Sequence, residues 1–231
     1  MTGPPSDALR PEIRLSFEQG AESASRALSN WIDRPVRLTI GEASMVDLVE
    51  ATGILGDPDT PVTACAMGLS SGRLSGQVIL VFRDRSGFAL VDYLMRQPIG
   101  TTTSWGDLEQ SAAQETTNIL GCAFLNAMAG HLPADAEAAP NAEDPGRNPD
   151  LIPSPPTFFH EFAGSLLEFA LADQAMELDK VLVIRSRFTV GEAATERAST
   201  PDVELDWTLL FVPSGASLRA LVNSFDSTDS Q

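Results

Sequence analysis

Residues Asp107 to Leu132 read as one long helix that is apolar around most of its circumference, and such a helix folds only where other elements enclose it on several sides. Advancing about 100° per residue, Asp107, Ser111, Glu115, Asn118 and Cys122 fall on one narrow polar stripe. Leu108, Ala112, Ile119, Leu120, Ala123, Phe124, Ala127, Met128 and Leu132 fill the remaining arc and read as buriable. An exposed helix face ordinarily carries a basic residue one turn from each acid, yet no Lys or Arg occurs between Arg96 and Arg147. Glu115 and Asn118 are therefore candidate functional residues, set against the plainer alternative of a solvated helix face.

The rest of the chain limits what those residues can serve. Its 231 residues can form one large domain or two small ones. The net charge of -17, with Lys180 the only lysine, disfavours bare nucleic acid and anionic lipid, which need clustered Lys and Arg. A protein partner fits better. Cys65 and Cys122 are too few and too far apart for a disulfide framework or a zinc knuckle and read as small core residues. No basic region followed by an apolar run opens the chain, and no apolar stretch is long enough to span a bilayer, so the expected location is the cytoplasm.

Proline-rich residues 1 to about 11 lead into a helix, with Phe17, Ala21, Ala24, Leu28 and Trp31 at helical intervals up to Asp33. Val36–Ile40 alternates as a half-buried strand, and Met45–Val49 fits a short helix or a strand. Val62–Met67 and Gln77–Phe82 read as a hairpin about the Gly72–Gly76 turn. Ser86–Met95 reads as a helix capped by Ser86, and a threonine-rich linker leads to Trp105. Residues 134–150, rich in proline, alanine and acid, are expected to be a mobile acidic insertion. Pro153, Pro155 and Pro156 precede a predicted helix over 157–175. Strands over 180–185 and 205–212 follow, then a terminal helix over 216–225. The two stretches, about 12–100 and 105–225, repeat the same order of elements and suggest a duplication within one domain.

Other motifs carry less. Gly68-Leu-Ser70-Ser-Gly72 has the letters of a nucleophile elbow, but a strand rather than a helix follows, which favours a hairpin turn. No P-loop is present. His131 and His160, placed on apolar helices without a second ligand at metal spacing, read as structural or helix-end residues, and Lys180 as a solvated edge residue.

The segment Leu108-Glu-Gln-Ser111-Ala-Ala-Gln-Glu115-Thr-Thr-Asn118-Ile-Leu resembles the signature of the CheC/CheX/FliY phosphatases of chemotaxis: Asp or Ser, three residues, Glu, two residues, Asn, and a later proline. Three flanking segments resemble the same family: Ala27–Val36 its first helix end and strand, Leu74–Phe82 its glycine turn and strand, and Ile152–Pro156 with the Phe162–Leu167 helix its second half. The similarity runs from about residue 13 to 225. It implies an α+β, CheC-like pseudo-twofold domain with two long helices side by side on a mostly antiparallel sheet. It also implies a phosphoryl-aspartate substrate on a CheY-like response regulator, with Mg2+ supplied by that receiver and no cofactor of the chain's own. Within the resemblance Glu115 pairs with a receiver lysine, Asn118 orients the attacking water, and Ser111 and Pro153 are supporting positions. An acyl phosphate already has a good leaving group, so such an enzyme needs chiefly to position water.

Two departures bear on that expectation. Aligned by Ala27-Leu-Ser, the first helix carries Leu15 and Glu18 where a second Glu/Asn pair would stand, so one site is absent. The insertion displaces the motif's proline to Pro153. The motor-switch protein FliM keeps this fold without phosphatase function, which makes a noncatalytic module for a receiver, the deamidase CheD or the flagellar switch the alternative.

Overall fold

The central strands are apolar on both faces, and that fixes the layering. In the computed structural model, which describes residues 11–47, 53, 55–70, 75–129, 152–175, 180–190, 207–214 and 217, the chain forms an α+β domain with this element order: α1 (Pro11–Ile32), β1 (Val36–Asp47), β2 (Pro61–Ser70), β3 (Gly76–Phe82), α2 (Asp84–Leu94), α3 (Asp107–Ala129), β4 (Ile152–Pro153), β5 (Thr157–Phe162), α4 (Ala163–Ala175), β6 (Lys180–Val190) and β7 (Trp207–Pro213). The seven strands form one antiparallel sheet ordered β1-β6-β7-β3-β2, with β4 and β5 both pairing the outer edge of β2. β3 and β7 lie at its centre, Phe82 opposite Trp207 and Gly76 opposite Pro213.

Successive side chains of a strand point to opposite faces. Val78, Leu80, Phe82, Trp207, Leu209 and Phe211 accordingly join the core beneath α1, α2 and α3. Ile79, Val81, Leu210 and Val212 join a second core with Ala163, Leu166 and Leu167 of α4 on the other face. Strands covered on both faces read as near-continuous apolar runs, which is why 77–82 and 207–212 stand out in the sequence. α1 and α3 run antiparallel and side by side: Phe17 stacks on Phe124 with ring centroids 6.0 Å apart, and the Trp31 indole donates to Thr116 Oγ1 at 3.1 Å.

Several expectations are corrected. Residues 157–162 form a strand, and only 163–175 are helical. The adjacent Phe158 and Phe159 serve opposite faces, Phe158 against Trp105 at 5.2 Å and Phe159 against Phe169 at 5.5 Å, a divergence that a strand allows and a helix does not. His160 is thus an exposed strand residue whose Nε2 lies 3.2 Å from Asp84 Oδ2, neither helix-borne nor at a helix end. Ser86 does not cap α2: the helix starts at Asp84, its cap Arg83 makes no side-chain cap bond, and Ser86 is buried in the first turn. Of the two alternatives for Met45–Val49, Met45 to Asp47 take the strand and continue β1 past an irregularity between Ile40 and Ala43. Lys180 opens β6 opposite Asp47 of β1, and the described pairing of β6 with β7 is Arg187 opposite Thr208. Ser70 ends β2 opposite Ile152, and β2 returns antiparallel as β3, the hairpin expected there in place of a nucleophile elbow. The insertion 134–150, His131 and nearly all of the expected terminal helix lie outside the described residues.

Candidate functional site

α3 is fixed from its first turn. Glu109 Oε2 accepts from the Gly106 N–H at 3.0 Å, the reaching-back half of a capping box. Trp105, just before the helix, is held between Phe82, Phe88 and Phe158 at 5.9, 5.0 and 5.2 Å, and its indole donates to Asp84 Oδ1 at 3.0 Å. Farther along, the buried Gly121 packs against the Met67 side chain of β2, whose terminal methyl would have to move to admit a Cβ. Gln114 Nε2 donates to Pro156 O at 2.8 Å and ties the flank of α3 to the chain between β4 and β5.

The inner face is closed: Ala113, Thr116, Thr117, Leu120, Gly121, Phe124 and Leu125 are buried. Thr116 and Thr117 satisfy their hydroxyls on the carbonyls of Ala112 and Ala113 at 2.8 and 2.9 Å, the usual solution for a buried helical threonine. On the outer face Asp107, Ser111 and Glu115 are exposed, while Asn118 and Cys122 are half-buried. The polar stripe therefore exists and faces outward. It is not the narrow track in an apolar enclosure that the sequence suggests, because Leu108 is 56% exposed and Ala112, Ile119 and Ala123 are half-buried. Trp31, 39% exposed, lies over Thr116 beside this face.

Glu115 and Asn118 are one turn apart on a regular helix. The described ion pairs are Arg26–Glu22, Arg96–Asp33 and His160–Asp84, and Glu115 takes part in none of them. Asn118 Oδ1 accepts from the Cys122 thiol at 3.6 Å. Burial raises the pKa of that thiol, and the Glu115 charge raises it further; a thiol so placed stays protonated and keeps its donor. Ser111 Oγ is bonded to Asp107 O at 2.7 Å, which commits its proton to the helix backbone. Pro153 pairs with Leu69 in β4, and the loop after it reaches α3 through the Pro156–Gln114 bond. On α1, Leu15 is 49% exposed and Glu18 is exposed. Helical spacing already places Cys122 on the stripe one turn from Asn118, although the thiol bond itself is not evident from the sequence; the Gln114–Pro156 contact, between residues 42 apart, has no signal there.

Cys65 is a different case from Cys122: fully buried on β2, it is pushed up to about 12 by burial, against a small opposing bond from Thr117. Among the described residues no group of three His, Cys, Asp or Glu could hold a metal ion, and no helix is long and apolar enough to cross a membrane.

Neither a protein-family model nor a curated protein matches this sequence. Solved structures do match in three dimensions. FliY of Thermotoga maritima has a TM-score of 0.62 at 14% identity, covering 94% of this chain and 98% of that one. The FliM middle domain of H. pylori has a TM-score of 0.56 at 10% identity, covering 94% and 99%. The FliG–FliM complex of H. pylori gives 0.53 at 10% identity, covering 91% and 99%. At such identities the likeness is one of fold alone, and it extends over nearly the whole chain: the chain has the fold seen in FliY and the FliM middle domain.

Proposed function

We propose that the chain is a cytoplasmic, single-site phosphatase that hydrolyses the aspartyl phosphate of a CheY-like response regulator. One observation carries this reading: Glu115 and Asn118 share the outer face of α3 one turn apart, and Glu115 takes part in none of the described ion pairs. An exposed carboxylate in a stretch without Lys or Arg is available to a cation brought by a partner. Glu115 pairs with a lysine of the receiver's phosphorylation site and sets the register. Asn118 then reaches the phosphoryl group, and its amide holds a water in line with the P–O bond to the aspartate. The water oxygen bonds to phosphorus, the P–O bond breaks, the receiver regains its carboxylate, and the water proton leaves on inorganic phosphate. Mg2+ held by the receiver would neutralise the developing charge. Neither residue has to act as an acid or base, so orientation accounts for the acceleration.

A noncatalytic docking module is the second reading. It is favoured by the first helix, where Leu15 and Glu18 replace a Glu/Asn pair, and by FliM, a protein of the same fold solved in complex with FliG. Such a module would bind a receiver, CheD or the flagellar switch. Adding the protein to a phosphorylated CheY-type receiver separates the two. Faster loss of phosphate supports the phosphatase, and binding without faster loss supports the module.

A further inference from the structure

The outer face of α3 carries more apolar surface than a solvated helix needs. Leu108 is 56% exposed and stands about two turns N-terminal of Glu115, on the same side of the helix. Ile119, one turn beyond Glu115, and Ala112 between them are half-buried. Trp31 arrives from α1: its indole N–H is used on Thr116 Oγ1 at 3.1 Å, which pins the ring across the α1–α3 seam with 39% of the residue still exposed. A large ring held in one orientation by a hydrogen bond loses little entropy on binding, and Trp is the residue most enriched among binding hot spots. Glu115 thus sits among apolar groups that would exclude water once covered, the condition under which its ion pair with a partner gains most.

We propose that Trp31 and Leu108 are the apolar anchors on which the receiver seats, across the α1–α3 seam and around Glu115. This deepens the function proposed above and rests on it. Charge identifies the occupant. Asp107 and Glu115 are the exposed charges of the outer face of α3, and that helix contributes no Lys or Arg. The surface that covers Glu115 must bring its own cation, because α3 supplies none; a receiver does so with its phosphorylation-site lysine, whereas a second copy would have to reach Glu115 with Arg26 of α1, which is already paired with Glu22.

The test measures binding of a CheY-type receiver loaded with beryllofluoride, by titration calorimetry, to wild type, Trp31→Ala, Leu108→Asp and Phe169→Ala. Phe169, 59% exposed on α4, is the apolar control on the opposite side of the sheet. The proposal expects Trp31→Ala and Leu108→Asp each to weaken binding about tenfold or more, with Phe169→Ala within about twofold of wild type. Leu108→Asp changes an exposed side chain, so it reads the surface even if Trp31→Ala loosens the seam. Wild-type binding with both anchors silent overturns the proposal and leaves the phosphatase reading standing. Absence of wild-type binding overturns both. A wild-type dimer that Leu108→Asp converts to monomer, without receiver binding, assigns the face to a second copy and also overturns it.

Discussion

The Cys122 thiol donates to Asn118 Oδ1 at 3.6 Å, one turn along α3 from the amide it restrains. Because burial and the nearby Glu115 charge keep the thiol protonated, the bond persists at neutral pH and leaves the Asn118 NH2 free. A thiol is a weak donor, so its removal is expected to cost roughly 0.5–1 kcal/mol of positioning. Cys122→Ala should lower kcat about two- to fivefold with KM unchanged. Steady-state kinetics on a phosphorylated receiver check this. An unchanged kcat removes Cys122 from the account.

Asp92 is buried at the end of α2 and holds the loop that leads toward α3. Its carboxylate accepts from the N–H groups of Gly100, Thr101 and Thr102 at 2.6, 3.1 and 2.9 Å and from Gln97 Nε2 at 3.1 Å. Burial by itself would raise its pKa, but the bonds from Thr102, Gly100 and Thr101 outweigh it and the net direction is down. A carboxylate whose pKa is depressed by folding contributes stability above its unfolded pKa, near 3.9, and loses it as pH falls through the folded value. Asp92→Asn should cost about 2–3 kcal/mol at pH 7, and the gap to wild type should shrink as pH drops below about 4. Urea melts at pH 7 and pH 3 read both. A gap that does not narrow at low pH contradicts the assignment.

Helix propensity alone would favour Gly20→Ala by about 1 kcal/mol. Here the added methyl would meet Phe124 Cδ2 at 2.8 Å and the Phe124 carbonyl at 3.1 Å, and a backbone oxygen cannot step aside. The substitution should therefore destabilise by about 1–3 kcal/mol by prising α1 from α3. A denaturation midpoint above that of wild type would refute the close approach of the two helices.

The outer edge of β1 is protected by two serines one turn apart on α1. Ser25 Oγ accepts from the Leu38 N–H at 2.8 Å, and Ser29 Oγ accepts from the Val36 N–H at 2.9 Å. Unpaired strand edges invite association. The double variant Ser25→Ala/Ser29→Ala should lose about 1 kcal/mol per bond and show concentration-dependent association by light scattering. A variant that melts like wild type and remains monodisperse would assign edge protection to other groups.

Local periodicity made the helices α1 and α3, the β2–β3 hairpin and the polar stripe legible, because each depends on neighbours within a few residues. What failed was nonlocal. Phe159, Phe162, Ala163, Leu166 and Leu167 continue a helical spacing across the β5–α4 junction, and only pairing with the edge of β2, Phe158 opposite Cys65, turns the first part into a strand. Leu108 reads as buried on composition, yet whether a leucine on a helix is covered depends on what lies over it, and here nothing among the described residues does so fully. Ser86 has a capping residue's chemistry, but Arg83 already supplies the extended cap conformation and the first accepting carbonyl, to Ser86 and Gly87 N–H at 2.9 and 3.0 Å. Glu115 and Asn118 were legible as a pair on one stripe with Cys122, whereas the bond that the Cys122 thiol makes to Asn118 was not.

Whether Asn118 orients the water that removes a receiver's phosphate is read most directly from the decay of a phosphorylated CheY-type receiver with saturating wild-type protein or Asn118→Ala. Wild type should accelerate decay at least tenfold, and Asn118→Ala, though still bound, should return it to the receiver's own rate, since an interaction made only in the transition state appears in kcat. Equal acceleration by both proteins, or none by wild type, would contradict that role.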